Sequence, residues 1–263
     1  MSKFIILASF IAACATELPT QLLSDQGNGR AGSFRIAGGT IAGNGAYPFM
    51  ASLRKLPNNH FCGGSIISKV WVLTAAHCMF GEKISRVKVV VGTNMLDSGG
   101  TAVWIQRVVM HPEYRNITDE PNDIALIQLV SALSYSSTVA KISIEMKHFQ
   151  SSTGVTTIGW GSTKEGGYSS NRLRQLSTQT VTHATCKRYW PQLTANQICT
   201  RLTTGKGICT GDSGGPLIET STKTQIGIVS IRGHRGCGRI FPDVYTRISA
   251  YAEWIHSTVN TEN

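Results

Sequence analysis

The chain has 263 residues, 41% hydrophobic and 15% charged, which is enough apolar matter for one large or two small globular cores and excludes a disordered protein. Its formal net charge is +10, of which residues 1–35 hold +1 and the remainder +9. Lys and Arg are scattered without a basic run or interleaved aromatics, so the surface reads as solvated and basic. No nucleic-acid partner is expected, and attraction of a polyanion would accompany another activity.

In chain order, Lys3, the apolar run FIILASFIAACA and the small triplet Ala13-Cys14-Ala15 predict a secretory signal over 1–15, cleaved after Ala15. The run is too short to span a bilayer and no other stretch approaches a membrane helix, so no membrane association is expected and the mature protein is predicted to be soluble and secreted. Residues 16–34 are polar and aperiodic, a leader ending at Arg35 and followed by Ile36. Short β-rich runs then follow between turn residues: PFMASLR, CGGSIIS, VWVLT, VKVVV, VWIQRVVM, DIALIQL, VTTIGW, QIGIVSI and DVYTRI. Ser131–Thr153 reads as a crossing between two halves. Only Ile248, Tyr251, Ile255 and Val259 recur at helical spacing. This pattern predicts an all-β protein of antiparallel barrels or sandwiches.

Seven cysteines are present. Cys14 leaves with the signal, and Cys62, Cys78, Cys186, Cys199, Cys209 and Cys237 form an even set in an oxidising compartment, which predicts three disulfides. Counting alone leaves fifteen connectivities open. No pair has a short zinc-type spacing with histidines.

The stretch GKGICTGDSGGPLIE, Gly205–Glu219, sets five glycines around Asp212-Ser213. A serine hydroxyl is a weak nucleophile at neutral pH and needs a base for its proton and donors for the oxyanion it creates. Glycines let the chain turn so that the Gly211 and Ser213 amides face one substrate oxygen. His77 in VLTAAHC and Asp123 in NDIALIQL are the candidate partners, and the order His77, Asp123, Ser213 matches the chain order of one known triad class.

With RIAGG, CGGSII, LTAAHC, NDIAL, GWG, GDSGGPL, GIVS and PDVYTR in order from Ile36 to about Thr258, the sequence resembles the chymotrypsin-like (trypsin-fold) serine endopeptidases. The resemblance implies two antiparallel six-stranded β-barrels with a C-terminal α-helix, barrels over about 36–135 and 150–247 and the helix over about 248–259. It implies that Ser213 attacks the peptide carbonyl, His77 acts as general base and then acid, Asp123 fixes the imidazole, and the Gly211 and Ser213 amides form the oxyanion hole. It implies the pairs Cys62–Cys78, Cys186–Cys199 and Cys209–Cys237, each worth on the order of 3 kcal/mol by chain entropy. It also implies activation, in which a cut after Arg35 by a trypsin-like protease frees the Ile36 amine to pair with Asp212, ending the propeptide 16–35. Protein or peptide substrates, protein inhibitors and a monomeric state belong to the same expectation, and no cofactor does.

Two departures bear on specificity. Gly207 stands where trypsin-type members carry Asp, with Ile208 beside it and Asp243 at a pocket wall, a combination that resembles insect chymotrypsins and broad-specificity crustacean collagenases. Ser230-Ile231-Arg232 replaces the usual Ser-Trp-Gly; Ser230 is expected to bond the triad aspartate, and Arg232 to narrow the pocket mouth, pair with Asp243 or lie in solvent. An apolar or broad preference at the residue before the scissile bond is expected; the alternatives are trypsin-like selection through Asp243 and a catalytically silent binding homologue. Asn116-Ile117-Thr118 is a glycosylation sequon. Thr93–Gly100 lacks paired acidic ligands, so no metal is expected. His60, His111, His148, His183, His234 and His256 are assigned surface or structural roles.

Overall fold

A computed structural model describes residues 37–117, 121–146, 152–201, 203–231, 236–238 and 241–260. The expected signal and leader, Arg35, Ile36 and Arg232 lie outside the described residues.

After the two-residue strand Thr40–Ile41 (β1), six strands follow: Met50–Lys55 (β2), Asn59–Ile66 (β3), Trp71–Thr74 (β4), Val87–Val91 (β5), Thr101–Met110 (β6) and Ala125–Leu129 (β7). They close into an antiparallel barrel in the order β2-β3-β4-β7-β6-β5, which leaves no unpaired edge. Period-2 alternation does the sorting: on β6, Val103 and Ile105 point into the barrel while Trp104 between them is half exposed. Leu53, Ile66, Leu73, Leu126 and Ile127 are all buried in one core cluster, Leu73 and Leu126 on the opposite face of the sheet from Ile66 and Ile127, and each contributes about 1.5–3 kcal/mol by leaving water. The pairing of β2 with β3 slips between Leu53↔Cys62 and Arg54↔His60, so Phe61 is the extra residue of a β-bulge.

The second sheet contains Gly154–Gly159 (β8), Arg174–Gln179 (β9), Gln197–Cys199 (β10), Pro216–Glu219 (β11), Gln225–Ile231 (β12) and Val244–Arg247 (β13). With β1 at one end it has seven strands, ordered β1-β9-β8-β11-β12-β13-β10. Every residue of β12 is buried, as befits a strand covered on both faces. The halves are tied at each end of the chain. β1 precedes the barrel yet pairs with β9, Ile41 opposite Arg174. After β13, a 3-10 turn over Ile248–Tyr251 leads into the helix Ala252–Asn260, and Ile248, Tyr251 and Ile255 return to pack in the barrel's core cluster, with Val259 against it. The expected terminal helix is therefore present as an α-helix only from Ala252, its first turn being 3-10, and the apolar residues of the stretch cover the first half.

Candidate active site

Strand pairing brings His77 and Asp123 together. β4 ends at Thr74 opposite Ala125, where β7 begins, so the chain leaving β4 and the chain entering β7 emerge at the same end. His77 sits in the short helix Ala76–Met79 just beyond β4. Asn122, at φ 58°, turns the chain into β7, a left-handed conformation that asparagine tolerates better than most residues. The Asp123 carboxylate then grips His77 twice: Oδ1 accepts from the His77 backbone N–H at 2.9 Å and Oδ2 from Nδ1 at 2.8 Å.

Asp123 is fully buried and draws two further bonds from the second sheet. Ser230 Oγ donates to Oδ2 at 2.6 Å, and Thr246 Oγ1 donates to the Asp123 carbonyl at 2.7 Å. Burial alone would raise the carboxyl's pKa; the His77 charge and the hydrogen bonds from His77 and Ser230 outweigh it and hold the group below the ordinary carboxylate value. The arrangement fixes the His77 proton on Nδ1 and turns Nε2 outward as an acceptor. Cys62 and Cys78 are bonded, and Cys78 Sγ lies 3.7 Å from His77 Nε2, so the disulfide braces the imidazole from β3.

Ser213 comes from the loop before β11. Its carbonyl accepts from the Gly63 amide at 2.7 Å, and the Gly214 amide bonds Val229 O at 2.8 Å, pinning the loop between the halves. Gly211 and Gly214 have φ of 96° and 76°, and a Cβ on Gly214 would strike the Thr74 hydroxyl and Gly63 carbonyl. Only glycine fits there. Among the described residues, neither the Gly211 nor the Ser213 amide bonds a protein acceptor. Ser213, Gly211 and His77 line one cavity of about 440 Å³.

Asp212 points the other way. Its carboxylate is buried, accepting from the Gly161 amide at 2.7 Å and the Cys209 amide at 2.9 Å. Burial pushes its pKa up to about 7 against the lowering effect of these amides.

His60 is the residue that sequence reasoning missed. Its Nδ1 lies 2.9 Å from Ser52 Oγ and its Nε2 2.9 Å from the Gly211 carbonyl oxygen, while Arg54 Nε donates to Ser52 Oγ at 2.9 Å. Burial pushes the imidazole down to about 4; the Gly211 bond opposes this and the Arg54 charge adds to it. The neutral ring donates from Nε2 to Gly211 O and accepts at Nδ1 from Ser52, so a directed chain of bonds ends on the carbonyl of Gly211, the residue whose amide, one peptide earlier, is an expected oxyanion donor. Nothing in the local sequence marks this, because the partner is 151 residues away. His111, by contrast, packs its ring on Tyr251 and Trp254, a structural role.

The residues expected to shape specificity divide. Ile208, Ser230 and Ile231 line the cavity of Ser213. Gly207 and Asp243 line a different hollow, of about 10 Å³, and the Ile208 amide donates to Asp243 Oδ2 at 2.8 Å. A Cβ on Gly207 would lie 2.7 Å from that same oxygen. Burial pushes the Asp243 carboxyl up to about 7, opposed by the Ile208 bond and reinforced by the nearby Asp212 charge. The other two expected disulfides, Cys186–Cys199 and Cys209–Cys237, are both formed. Asn116 is exposed.

Comparison with known proteins agrees with this geometry. The family model described as Trypsin matches residues 36–255. Chymotrypsin-2 of Vespa crabro is 39% identical over 84% of this chain and 98% of its own length. Brachyurin of Leptuca pugilator is 35% identical over 84% and 97%, and granzyme M of Homo sapiens 32% identical over 92% and 96%. The chain belongs to the trypsin family and is a serine endopeptidase.

Proposed function

We propose that the protein is a secreted endopeptidase made as an inactive precursor, in which Ser213 is the nucleophile, His77 the general base and acid, and Asp123 the group that orients and charges the imidazole. The observation that carries the assignment is the double grip of Asp123 on His77 at the rim of the cavity that Ser213 lines. Ser213 Oγ gives its proton to His77 Nε2 as it bonds the substrate carbonyl carbon, and the carbonyl oxygen takes the charge facing the Gly211 and Ser213 amides. Collapse of that intermediate expels the amine, which receives the proton from His77, and leaves an ester on Ser213 that water hydrolyses by the same steps in reverse.

Activation follows a cut after Arg35. The freed Ile36 ammonium is the cation that the buried Asp212 carboxylate lacks among the described side chains, and completing such a pair is worth about 3–5 kcal/mol relative to leaving one charge uncompensated. The signal-like segment 1–15 supports export, and among the described residues no helix is long and apolar enough to cross a membrane. The enzyme acts as a monomer, answers to an activating trypsin-like protease and is open to protein inhibitors.

For the residue before the scissile bond, an apolar or broad preference is favoured over trypsin-like selection. Ile208 and Ile231 face the cavity, whereas Asp243 is engaged by the Ile208 amide and carries a carboxyl raised toward neutrality. The name of the wasp relative, chymotrypsin-2, supports the same preference. The deciding experiment cleaves the precursor after Arg35 and profiles it on a peptide library with and without a serine-directed phosphonate. Inhibitor-sensitive cleavage after apolar residues is expected; near-exclusive cleavage after Arg or Lys would move selection to Asp243, and absence of cleavage would overturn the assignment of roles.

A further inference from the structure

The cavity that holds Ser213 does not end at the nucleophile. From Ile208 and Ile231 it passes the Cys62–Cys78 disulfide and continues to Phe61, Lys55 and Glu82. The acyl half of a substrate occupies the end walled by the isoleucines, so the leaving half must lie along the opposite end. There, Lys55 Nζ is 2.7 Å from Glu82 Oε1 and sits 4.8 Å from the centre of the Phe61 ring. Phe61 is displaced toward the cleft by the bulge in β3, a device that re-aims side chains beside active sites.

The same Lys55–Glu82 pair also forms one wall of an adjoining hollow of about 400 Å³, whose further charged residues are Lys83 and Arg86, both exposed. Lys55, Lys83 and Arg86 against the single Glu82 give this end a net charge of +2. An ammonium offers three donors, and Glu82 takes one from Lys55. A carboxylate arriving here meets a partly desolvated Lys55 and two further cations; an arriving ammonium meets a carboxylate already paired and the same cations as repulsion.

We propose that Lys55, with Phe61 beneath it and Lys83 and Arg86 beyond, forms a leaving-group subsite that selects peptides bearing Asp or Glu within the first three residues after the scissile bond. This rests on the endopeptidase reading and adds to it a preference on the side opposite the specificity pocket. Glu82 moderates the site by holding Lys55 in place while cancelling part of its charge.

The test uses the full chain cleaved after Arg35, active-site titrated, and internally quenched peptides with one fixed acyl half and Glu, Ala or Lys at the second or third leaving position. The ratio of kcat/KM for Glu over Lys peptides within one enzyme cancels any difference in folded fraction. In wild type it is expected to be about three- to tenfold, the size of a partly exposed charge contact. Lys55→Ala should bring it close to one, and Glu82→Gln should raise it by about threefold. Raising the salt should shrink it. A wild-type ratio near one, or a ratio that Lys55→Ala leaves intact, overturns the subsite while leaving the endopeptidase standing. A processed chain that cleaves none of the peptides and does not react with a serine-directed phosphonate overturns both.

Discussion

The imidazole of His60 donates from Nε2 to the carbonyl oxygen of Gly211, 2.9 Å away, and so anchors the residue whose own amide is one of the two proposed oxyanion donors. His60 does not line the cavity of Ser213, so the role expected of it is positioning. Replacing it with Ala should lower kcat by about tenfold with KM little changed, less than the roughly 100-fold or greater loss that follows removal of an oxyanion donor itself. Steady-state kinetics on a peptide anilide separate the two parameters.

The same ring makes stability depend on pH. Its pKa falls from 6.5 in the unfolded chain to about 4 in the fold, so its neutral form is favoured by folding. That contribution is complete above about pH 6.5 and is lost as the pH falls from there toward 4. Urea unfolding at pH 7 and pH 4.5 should show a fall for wild type that is reduced in the His60→Ala variant.

Asp212 runs in the opposite sense in the uncleaved chain. Its carboxyl rises from 3.8 to about 7, so the fold favours the protonated form and loses stability as the pH climbs from 3.8 through 7. Asp212→Asn should therefore stabilise the precursor at pH 8 by a few kcal/mol, yet leave it inactive after the Arg35 cut because the Ile36 ammonium has no carboxylate to meet. Denaturant titration of the precursor and anilide hydrolysis by the cleaved product measure the two effects.

Asp123→Asn should preserve the fold while removing about four orders of magnitude from kcat, since an amide can donate to Nδ1 and stabilise the wrong tautomer, as in the template triad. Activity assays alongside unfolding curves would show whether the loss is chemical.

A single Gly207→Asp exchange should not create a trypsin. The new Cβ would sit 2.7 Å from Asp243 Oδ2, and two carboxyls in so small a hollow cannot both ionise. The double variant Gly207→Asp with Asp243→Gly removes the conflict and should cleave after Arg at least tenfold better than the single one, as measured by kcat/KM on matched anilides.

All nine apolar runs read from the sequence contain strands of the fold, because each carried enough Val, Ile or Leu at period 2, or an unbroken apolar run, to announce a buried face. The four strands that the sequence concealed are short or polar. β1 has two residues and β10 three, β11 hides in the Gly-rich loop's tail, and β9 directs Arg174 and Leu176 inward with polar neighbours between. Arg174 is buried because it donates to the Gly39 carbonyl at 2.9 Å, a partner that only the fold supplies. His77, Asp123 and Ser213 were legible because each lies in a motif of its own. His60 was not, since its place depends on a bulge and on a carbonyl from the other half. Gly207 and Asp243 were legible as a pair, but that they line a different hollow from that of Ser213 required coordinates.

Asp123 stands on the barrel, yet two of its hydroxyl donors, Ser230 and Thr246, belong to the other sheet. Enzymatic competence is therefore a gauge of how the halves are docked. A small tilt between them would disarm His77 while both hydrophobic cores stayed intact, so mild heating should silence the protein before its β-sheet signal fades, and a covalent inhibitor bridging Ser213 and His77 should act as a strut that delays both.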